Sequence, residues 1–379
     1  MAATIAVAGG LAQRPRRGGH AWVFLTWLLG LRRLGWDVVF VDRLEPAWIG
    51  EPVEGSAPAR WLSEVMHHFG LAGDWALLHD GTRTLGLTRQ DLADRLDDAA
   101  LLINVMGYLD DPDLLARPAR RAYLDLDPGW PQMWRNLGLH DGLGGHDAHV
   151  TVGRNVGLDI CAIPTCGIDW IATPPPVLLD AWPAQPPPSD GAGAFTSVAT
   201  WRGPNAPMDY EGRRYGVRAH AFRALASLPR ETDATFRVAL DIDPADEDDR
   251  ALLEAGGWEL ADPLAVAGDP DAYRDFVQGS RAELMVAKDL YARTCSGWFS
   301  DRSAAYLASG RPVLAQDTGF PAGRNGGLLT FSTAQEARAG VAELLRDPAG
   351  HAVAARVLAE ERFASDRILG ELLERLEVT

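Results

Sequence analysis

The stretch from 296 to 314, SGWFSDRSAAYLASGRPVL, places hydroxyl, acidic and basic side chains at the predicted start of a helix. Ser300, Asp301 and Ser303 suit a helix N-terminus, where unpaired backbone N–H groups and the positive end of the helix dipole attract an anion. Arg302 can add a direct positive charge. The pattern predicts a diphosphate site, although the capping that any helix needs would explain the same residues.

Other polar residues follow predicted strands, where open α/β sheets bind their ligands. In the first half of the chain they are Gly18, Gly19, His20, the stretch from Met106 to Asp111 with Asp110, Asp125 and Asp127. In the second half they are Thr200, Trp201, Arg202, Lys288, the 300 to 303 stretch, Asp317, Thr318, Gly319 and Phe320. The sequence DLDP at 125 to 128 is explained equally well as a strand end and a turn, in which aspartate accepts backbone hydrogen bonds.

Alternating strands and helices must position these residues. In the first half, TIAVAGG, a helix from about His20 to Leu34 and DVVFVDR form a βαβ unit with parallel strands. ALLINVMG, RAYLDLD and DAHVTVG are further strands, and TRQDLADRLDD is a polar helix. This alternation predicts a doubly wound parallel sheet.

The second half repeats the alternation. Strands are predicted at FTSVAT, FRVALDI, PVLAQ and GLLTF, with helices at YGVRAHAFRALASLP and after Ser300. Ser332 and Gln335 form a capping box for a helix to about Arg346. The last segment, HAVAARVLAEERFASDRILGELLERLE, is predicted as one helix.

Proline divides the two halves. The segment from Thr173 to Ala194 is stiff and poor in N–H donors, which predicts an interdomain linker. The expected domains are therefore a first domain of residues 1–172, a linker of residues 173–194, and a second domain of residues 195–379 with terminal helices. Two such domains predict a ligand cleft between the carboxyl ends of their sheets.

Composition narrows the class of function. The formal net charge is −16, from 36 basic and 52 acidic side chains, which argues against nucleic acid or an anionic membrane surface as partner. Cys161, Cys166 and Cys295 are too few for a disulfide framework and lack zinc-site spacing, so a cytoplasmic protein without a metal is expected. The apolar run from Ala21 to Leu31 is shorter than the roughly 20 residues that span a bilayer, which predicts a buried helix.

These motifs resemble GT-B fold glycosyltransferases, especially the spore-maturation-protein-like group related to family 4. The most specific likeness lies in GWFSDRSAAYLASGRPVLAQDTGF (297 to 320), SRAELMVAKDLY (280 to 291) and GLLTFSTAQEARAGVAEL (327 to 344). The first half is similar in GGHAWVFLTWLLGLRRLGWDVVFVD, AYLDLDPGWPQMW and IPTCGIDW. The likeness covers most of the chain and implies the GT-B architecture, two Rossmann-like domains facing a central cleft.

The resemblance implies a bacterial-type hexosyltransferase that moves a sugar from a nucleoside-diphosphate sugar to a hydroxyl of an acceptor. Arg202, Lys288 and the helix start at 300 to 303 would stabilise the leaving diphosphate without a metal. Trp201 or Trp298 would line the site of the base or the sugar, and the alternative is that these rings only pack in the core. No cofactor is expected beyond the sugar nucleotide as co-substrate. The acceptor is open between glycan, lipid-linked sugar, protein and small natural product, and a homodimer is left open.

The resemblance also gives His20 a role, because many inverting GT-B enzymes place a general base after such a Gly-Gly loop. Imidazole titrates near neutral pH and can take the proton of a hydroxyl. Asp110 or Asp111 could orient the ring, with Asp125 and Asp127 behind. A histidine that only caps the helix is the alternative.

The chain departs from the family 4 pattern at two positions. That family carries two glutamates eight residues apart, and their places fall at Gly297 and Ala305. Neither residue can bind a hydroxyl through a side chain, so the retaining mechanism and the ribose contact cannot be transferred. Asp301 or Asp317 could substitute, and the stereochemical outcome stays open.

Two other functions compete with glycosyl transfer. A dinucleotide-dependent oxidoreductase would use Asp42, at the end of the second strand, for ribose, but the glycines at 9, 10, 18 and 19 do not form G-x-G-x-x-G. A non-catalytic nucleotide-sugar-binding protein could have the same fold, because fold does not fix function.

Overall fold

The computed structural model describes residues 3–189, 193–203, 207–323 and 325–378. The chain divides into two compact units, and the division does not follow sequence order. The first unit contains Met1–Gly153, Pro164–Leu178 and Ser365–Thr379, and the second contains Arg154–Ile163 and Leu179–Ala364.

The elements are numbered in chain order. The strands are β1 (Thr4–Ala8), β2 (Asp37–Arg43), β3 (Trp75–His79), β4 (Arg83–Gly86), β5 (Ala99–Val105), β6 (Arg121–Asp125), β7 (Ala148–Thr151), β8 (Trp170–Ala172), β9 (Phe195–Thr200), β10 (Met208–Tyr210), β11 (Arg213–Tyr215), β12 (Phe236–Asp241), β13 (Glu259–Ala261), β14 (Ala282–Met285), β15 (Val313–Gln316) and β16 (Leu328–Phe331). The helices are α1 (Gly18–Arg33), α2 (Pro46–Ile49), α3 (Ala57–His68), α4 (Arg89–Asp97), α5 (Pro112–Leu115), α6 (Trp130–Asn136), α7 (Ala219–Ala224), α8 (Glu247–Ala255), α9 (Pro263–Ala267), α10 (Pro270–Gln278), α11 (Asp289–Arg293), α12 (Asp301–Ala308), α13 (Ala334–Arg346), α14 (Pro348–Arg362) and α15 (Ser365–Arg375).

Each unit is built on its own parallel sheet. The first sheet has the order β4-β3-β2-β1-β5-β6-β7-β8, and only β4 runs antiparallel to its neighbour. The second has the order β13-β12-β9-β14-β15-β16, with every neighbouring pair parallel. Chain order reverses direction next to β1 in the first sheet and next to β9 in the second. Both units are therefore doubly wound, and the predicted fold class is confirmed.

The predicted strands are found because parallel strands are buried on both faces and appear in the sequence as short apolar runs. DVVFVDR and FTSVAT match β2 and β9 residue for residue. The polar helix TRQDLADRLDD is α4, and the Thr88 hydroxyl caps it by accepting a hydrogen bond from the Asp91 N–H. The prediction did not include the edge strands β4, β8 and β13, which are short and partly exposed, or the short hairpin of β10 and β11. It also missed β3, although that strand is buried along its whole length.

Helix α1 is apolar on most of its surface because protein packs around it. It contacts β1 and β2 and also α15. Gly30 lies against α15 so closely that a Cβ atom there would be 2.5 Å from a methyl carbon of Leu369. The prediction of a buried helix for the run from Ala21 to Leu31 is confirmed. Among the described residues, no helix has the length and apolar character needed to cross a membrane.

The C-terminal segment is two helices rather than the single predicted helix. Helix α14 ends before Phe363, whose fully buried ring stacks with those of Phe299 and Phe320 at centroid distances of 5.0 and 6.1 Å. The Ser365 N–H then donates to the carbonyl of Val177 at 2.9 Å, and α15 begins. This break transfers α15 to the first unit, so the second domain does not hold all the terminal helices expected for residues 195–379.

Helix α13 starts one residue later than predicted. The Thr333 hydroxyl accepts a hydrogen bond from the Glu336 N–H at 3.2 Å, and the Glu336 carboxylate accepts one from the Ser332 N–H at 2.7 Å. The cap predicted at Ser332 is therefore made by Thr333, and the reciprocal capping box predicted with Gln335 is not formed, because Glu336 binds the N–H of the residue before the cap. The predicted end at Arg346 is confirmed.

The proline-rich segment of residues 173–194 packs against protein along much of its described length. The Trp182 ring is 1% exposed and meets the Tyr273 ring edge-on at 5.9 Å. Arg311 and Arg356 donate hydrogen bonds to backbone carbonyls of the segment. Proline lacks an N–H donor but keeps its carbonyl acceptor, which explains why arginine side chains hold this segment. The boundary between the units falls inside it, and residues 190–192 lie outside the described chain.

Candidate functional site

Strands β9 and β14 separate near the carboxyl end of the second sheet. They pair at Phe195 with Ala282 and at Thr196 with Glu283, whereas β9 continues to Thr200. Chain order also reverses here, since β12 lies on the other side of β9. Open α/β sheets bind ligands at such a switch point, so this edge is the candidate nucleotide site.

Arg302 lies in the gap between these strands. Its Nε donates to Oε1 of Glu283 at 2.5 Å, and its Nη1 donates to the Val198 carbonyl at 2.7 Å. The Glu283 side chain is fully buried and that of Arg302 is 11% exposed. Burial raises the pKa of Glu283, while the positive charge of Arg302 opposes the rise. Instead of the free charge expected from the sequence, Arg302 provides one half of a buried ion pair.

The other residues predicted to bind the diphosphate lie at the start of α12, and they differ in their exposure to solvent. Asp301 is exposed in the first turn, whereas Ser300 and Ser303 are buried. Ser300 is the N-cap residue but makes no side-chain capping bond. Ser303 lies close enough to Glu283 to lower the pKa of that carboxyl. The first-turn N–H groups are thus the part of this stretch best suited to an anion.

Trp201 and Arg202 belong to a structural cluster. The Trp201 ring is 1% exposed, and its indole N–H donates to Asp249 at 2.9 Å. Arg202 donates through Nε to Asp246 at 2.9 Å and through Nη2 to the other oxygen of the same carboxylate. The packing alternative for Trp201 is therefore supported. Arg202 has a bidentate carboxylate partner that a diphosphate would have to displace.

Lys288 is the only lysine among the 36 Lys and Arg residues of the chain. It precedes α11, and its Nζ lies 5.3 Å from the centroid of the Tyr291 ring. Tyr291 in turn stacks on Trp298, with centroids 4.4 Å apart and planes inclined by 28°. This aromatic pair positions a half-buried ammonium group just after β14.

The loop after β15 presents one exposed acid. Asp317 accepts a hydrogen bond from the Gly319 N–H at 2.7 Å and remains exposed to solvent. Thr318 is buried and donates to the Trp298 carbonyl at 2.6 Å. Thr318, Phe320 and Trp298 also line one narrow pocket. Of the three predicted residues 317 to 319, Asp317 is the one whose side chain can meet a sugar hydroxyl.

The structure explains the missing glutamates. Gly297 has φ +68°, and a Cβ atom there would lie 2.7 Å from Cγ of Asn155. Ala305 is 4% exposed within α12. The position at 297 therefore has no room for a side chain, and the one at 305 faces protein. The sequence reasoning also missed Asn155, which stands in the stretch GRNVG and carries no signal beyond its amide.

In the first unit, His20 lies in the first turn of α1. Its Nε2 is 2.9 Å from the Gly10 carbonyl, and its ring meets Phe24 edge-on at 5.1 Å. Because a carbonyl only accepts, Nε2 carries the proton of the neutral ring and Nδ1 holds the lone pair. The base predicted at His20 would therefore act through Nδ1.

Surrounding protein keeps that imidazole neutral. Desolvation lowers the pKa of His20 to about 4, the hydrogen bond to Gly10 opposes the shift, and the nearby charge of Arg14 adds to it. The positive end of α1 works in the same direction. The ring is therefore ready to accept a proton at neutral pH, although it is a weaker base than an ordinary imidazole.

Asp110 and Asp111 have partners other than His20. Asp110 accepts a hydrogen bond from Arg43, and Asp111 accepts one from Arg89 at 2.6 Å. Asp111 also caps α5. Burial acts to raise its pKa, but hydrogen bonds from Arg89 and from the α5 backbone, together with the charge of Arg89, hold that pKa below the usual value. The Gly10 carbonyl, rather than either aspartate, orients the His20 ring.

Asp125 joins strand ends. It is fully buried and accepts hydrogen bonds from Gln132 at 2.7 Å, from Thr151 at 2.8 Å and from the Asp127 N–H at 2.9 Å. Burial raises its pKa to about 6, against the effect of these donors. This network supports the turn interpretation of DLDP. Asp127 is half-buried, as is Gly19, whereas Gly18 is buried at the start of α1.

Asp42 organises the loop between β1 and α1. It is 2% exposed and accepts hydrogen bonds from the N–H groups of Ala12 and Arg43, both at 2.6 Å. Burial raises its pKa to about 7 in spite of these donors. A carboxyl group held this way is not placed to bind ribose, which removes the main support for an oxidoreductase.

One group of described residues has the ligand types of a metal site. Glu54, His79 and Asp80 bring their candidate ligand atoms within 4.8 Å of one another. Arg83 pairs with both carboxylates, so their negative charge is already balanced by a guanidinium. This cluster lies in the first unit, and the candidate nucleotide site does not include it.

The sequence matches no protein-family model and no curated protein at a significant level. Solved structures are similar over nearly the whole chain. An alpha-glucosyltransferase in complex with UDP and a 13-mer DNA is 10% identical, with 99% of each chain covered and a TM-score of 0.58. HepE of Anabaena in complex with UDP is 14% identical, with 100% of each chain covered and a TM-score of 0.56.

The chain has the GT-B fold. A putative UDP-N-acetylglucosamine 2-epimerase from Listeria monocytogenes is also similar, at 12% identity and a TM-score of 0.52, covering 100% of this chain and 97% of that one. At these identities the likeness establishes the fold alone. The GT-B fold serves more than one reaction, so the fold alone does not fix the function of this chain.

Proposed function

We propose that this chain is a glycosyltransferase that moves a hexose from a nucleoside-diphosphate sugar to a hydroxyl-bearing acceptor, in the cytoplasm. The observation that carries the proposal is the set of groups at the switch point of the second sheet. Lys288 follows β14, Asp317 follows β15, and the first turn of α12 is joined to β9 and β14 through Arg302, while two structures of the same fold hold UDP. The particular likeness to the spore-maturation-protein-like group belongs to this proposal.

The donor half of the reaction requires charge stabilisation. As the bond between sugar and diphosphate breaks, negative charge grows on the leaving diphosphate, and groups aimed at it favour the transition state over the ground state. Lys288 supplies a point charge and the first turn of α12 supplies N–H donors, so no metal is needed in this scheme. Asp317 has the exposed carboxylate that a sugar hydroxyl requires.

The acceptor half is assigned to the first unit. Nδ1 of His20 takes the proton of the acceptor hydroxyl as that oxygen attacks the sugar carbon. The buried Asp42 and Asp125 hold the loops around it through backbone and side-chain hydrogen bonds. The chemistry of these residues does not distinguish a glycan from a lipid-linked sugar, a protein or a natural product.

A donor screen tests the proposal. The full chain is incubated with UDP-, TDP- and GDP-hexoses and with pooled acceptors, and release of nucleoside diphosphate is measured. We expect release from one donor class that rises when an acceptor is added. Tight nucleotide binding without turnover would instead support a non-catalytic binding protein, and conversion of a donor to its epimer without acceptor would support an epimerase.

A further inference from the structure

The two loops of the proposed nucleotide site are joined by a residue from a distant part of the sequence. Asn155 lies in the 154–163 segment, which follows β7 in the chain but belongs to the second unit. Its side chain is 3% exposed. Nδ2 donates to the carbonyl of Cys295 at 2.9 Å and to that of Gly319 at 3.2 Å. One amide therefore bridges the loop before α12 and the loop after β15.

Backbone bonds anchor this amide. The Asn155 N–H donates to the Ser296 carbonyl at 3.0 Å, and the Ala162 N–H donates to the Thr294 carbonyl at 3.0 Å. The two loops also bond to each other, because the Gly297 N–H donates to the Thr318 carbonyl at 2.6 Å. The 154–163 segment thus runs beside the first loop and presents one side chain to both.

Glycines make room for that side chain. A Cβ atom at Gly297 would lie 2.7 Å from Cγ of Asn155, and one at Gly319 would lie 2.7 Å from its Nδ2 and 2.5 Å from Sγ of Cys295. Both glycines have positive φ, +68° and +82°. The contact between loops and amide is therefore too close for any other residue at either position.

We infer that Asn155 is a positioning residue, which fixes the separation between the α12 start and the Asp317 loop so that both can hold one nucleotide sugar. The inference rests on the proposed function for its ligand, but the bridge itself is a property of the unliganded chain. Its chemical requirement is a neutral donor, because the side chain faces two carbonyl oxygens in a buried place.

Two variants at Asn155 show whether its amide is needed as a hydrogen-bond donor or only fills space. In Asn155→Asp an oxygen faces the same two carbonyls, whereas Asn155→Ala removes the donor without adding repulsion. We expect the Kd for UDP to rise about tenfold in Asn155→Ala, as for loss of a buried hydrogen bond, and further in Asn155→Asp. Asn136→Asp, the same change at the exposed end of α6, is the matched control and should bind UDP like wild type.

A double-mutant cycle tests the close contact. Gly297→Ala should weaken UDP binding strongly in the wild-type background and much less in Asn155→Ala, where the added methyl group has space. The backbone strain of a positive φ is common to both arms and cancels. Equal effects in the two backgrounds would contradict the contact.

Hydrogen exchange in the absence of nucleotide separates this inference from the proposed function. In Asn155→Asp, the amides of residues 295–300 and 317–320 should exchange faster, with Gly297 N–H as the most direct reporter. Unchanged exchange, or UDP affinity equal to wild type, would overturn the positioning role. If the wild-type chain binds no nucleoside diphosphate, the proposed function fails, and the bridge is then judged by exchange alone.

Discussion

Replacing Arg302 by methionine should lower the free energy of unfolding of the second unit by about 3–5 kcal/mol, because it leaves Glu283 charged and buried without its partner. Urea denaturation followed by tryptophan fluorescence measures the loss. The pKa of Glu283 is already raised by burial, so the unpaired carboxyl will take up a proton at acid pH. The deficit should therefore be larger at pH 8 than at pH 5.

Two controls make this expectation specific. The double variant Glu283→Leu/Arg302→Met removes both charges and should recover most of the lost stability. Arg346→Met removes an exposed partner of Glu343 and should cost less than about 1 kcal/mol. A small loss in Arg302→Met together with a large loss of UDP affinity would contradict the internal ion pair and favour a direct contact with phosphate.

Replacing His20 by glutamine should reduce turnover by about 10²-fold, near the lower end for loss of a general base, because a base of pKa about 4 is weaker than an ordinary imidazole. The glutamine amide can still donate to the Gly10 carbonyl, which protects the fold. UDP affinity should not change, because His20 belongs to the first unit. Steady-state kinetics and calorimetry on the same preparation separate the two effects.

The dependence of turnover on pH tests the assignment of His20 independently. A base must be neutral, so wild-type turnover should be independent of His20 above about pH 5 and fall only as the pH approaches 4. An ordinary histidine would begin to lose activity below pH 7. Because of the same lowered pKa, the contribution of His20 to the free energy of unfolding should rise with pH between about 4 and 6.5, where the unfolded chain binds more protons than the folded one. Near wild-type turnover in His20→Gln would refute the assignment.

Sequence patterns predicted the sheets better than the orientation of charged side chains. Parallel strands are buried on both faces and appear as short runs rich in apolar and β-branched residues, so β2 and β9 could be located to the residue. The break at Phe363 could not be located from the sequence, because the helical pattern continues through it. The Phe363 ring stacks on Phe299 and Phe320 where α14 ends, and those residues are distant in sequence.

In the candidate site, too, some features could be predicted from the sequence and others could not. Ser300, Asp301 and Ser303 do stand at a helix start, as the residue types predicted. Whether Arg302 points outward depends on the gap between β9 and β14, which no local pattern encodes. One signal was available, since the glutamate in the buried strand AELM requires a partner. The bridge made by Asn155 had no such signal, because its contacts lie more than 100 residues away.

Calorimetric titration of UDP into the wild-type chain and into Lys288→Gln shows whether a nucleotide binds at this edge of the second sheet. Lys288 is the only lysine in the sequence, so the variant removes a unique ammonium group. UDP should bind the wild-type chain, and Lys288→Gln should bind it about tenfold more weakly, as for loss of one charge-assisted hydrogen bond. Equal affinity in the two proteins, or no binding of any nucleoside diphosphate to the wild type, would contradict a nucleotide site at this edge of the second sheet.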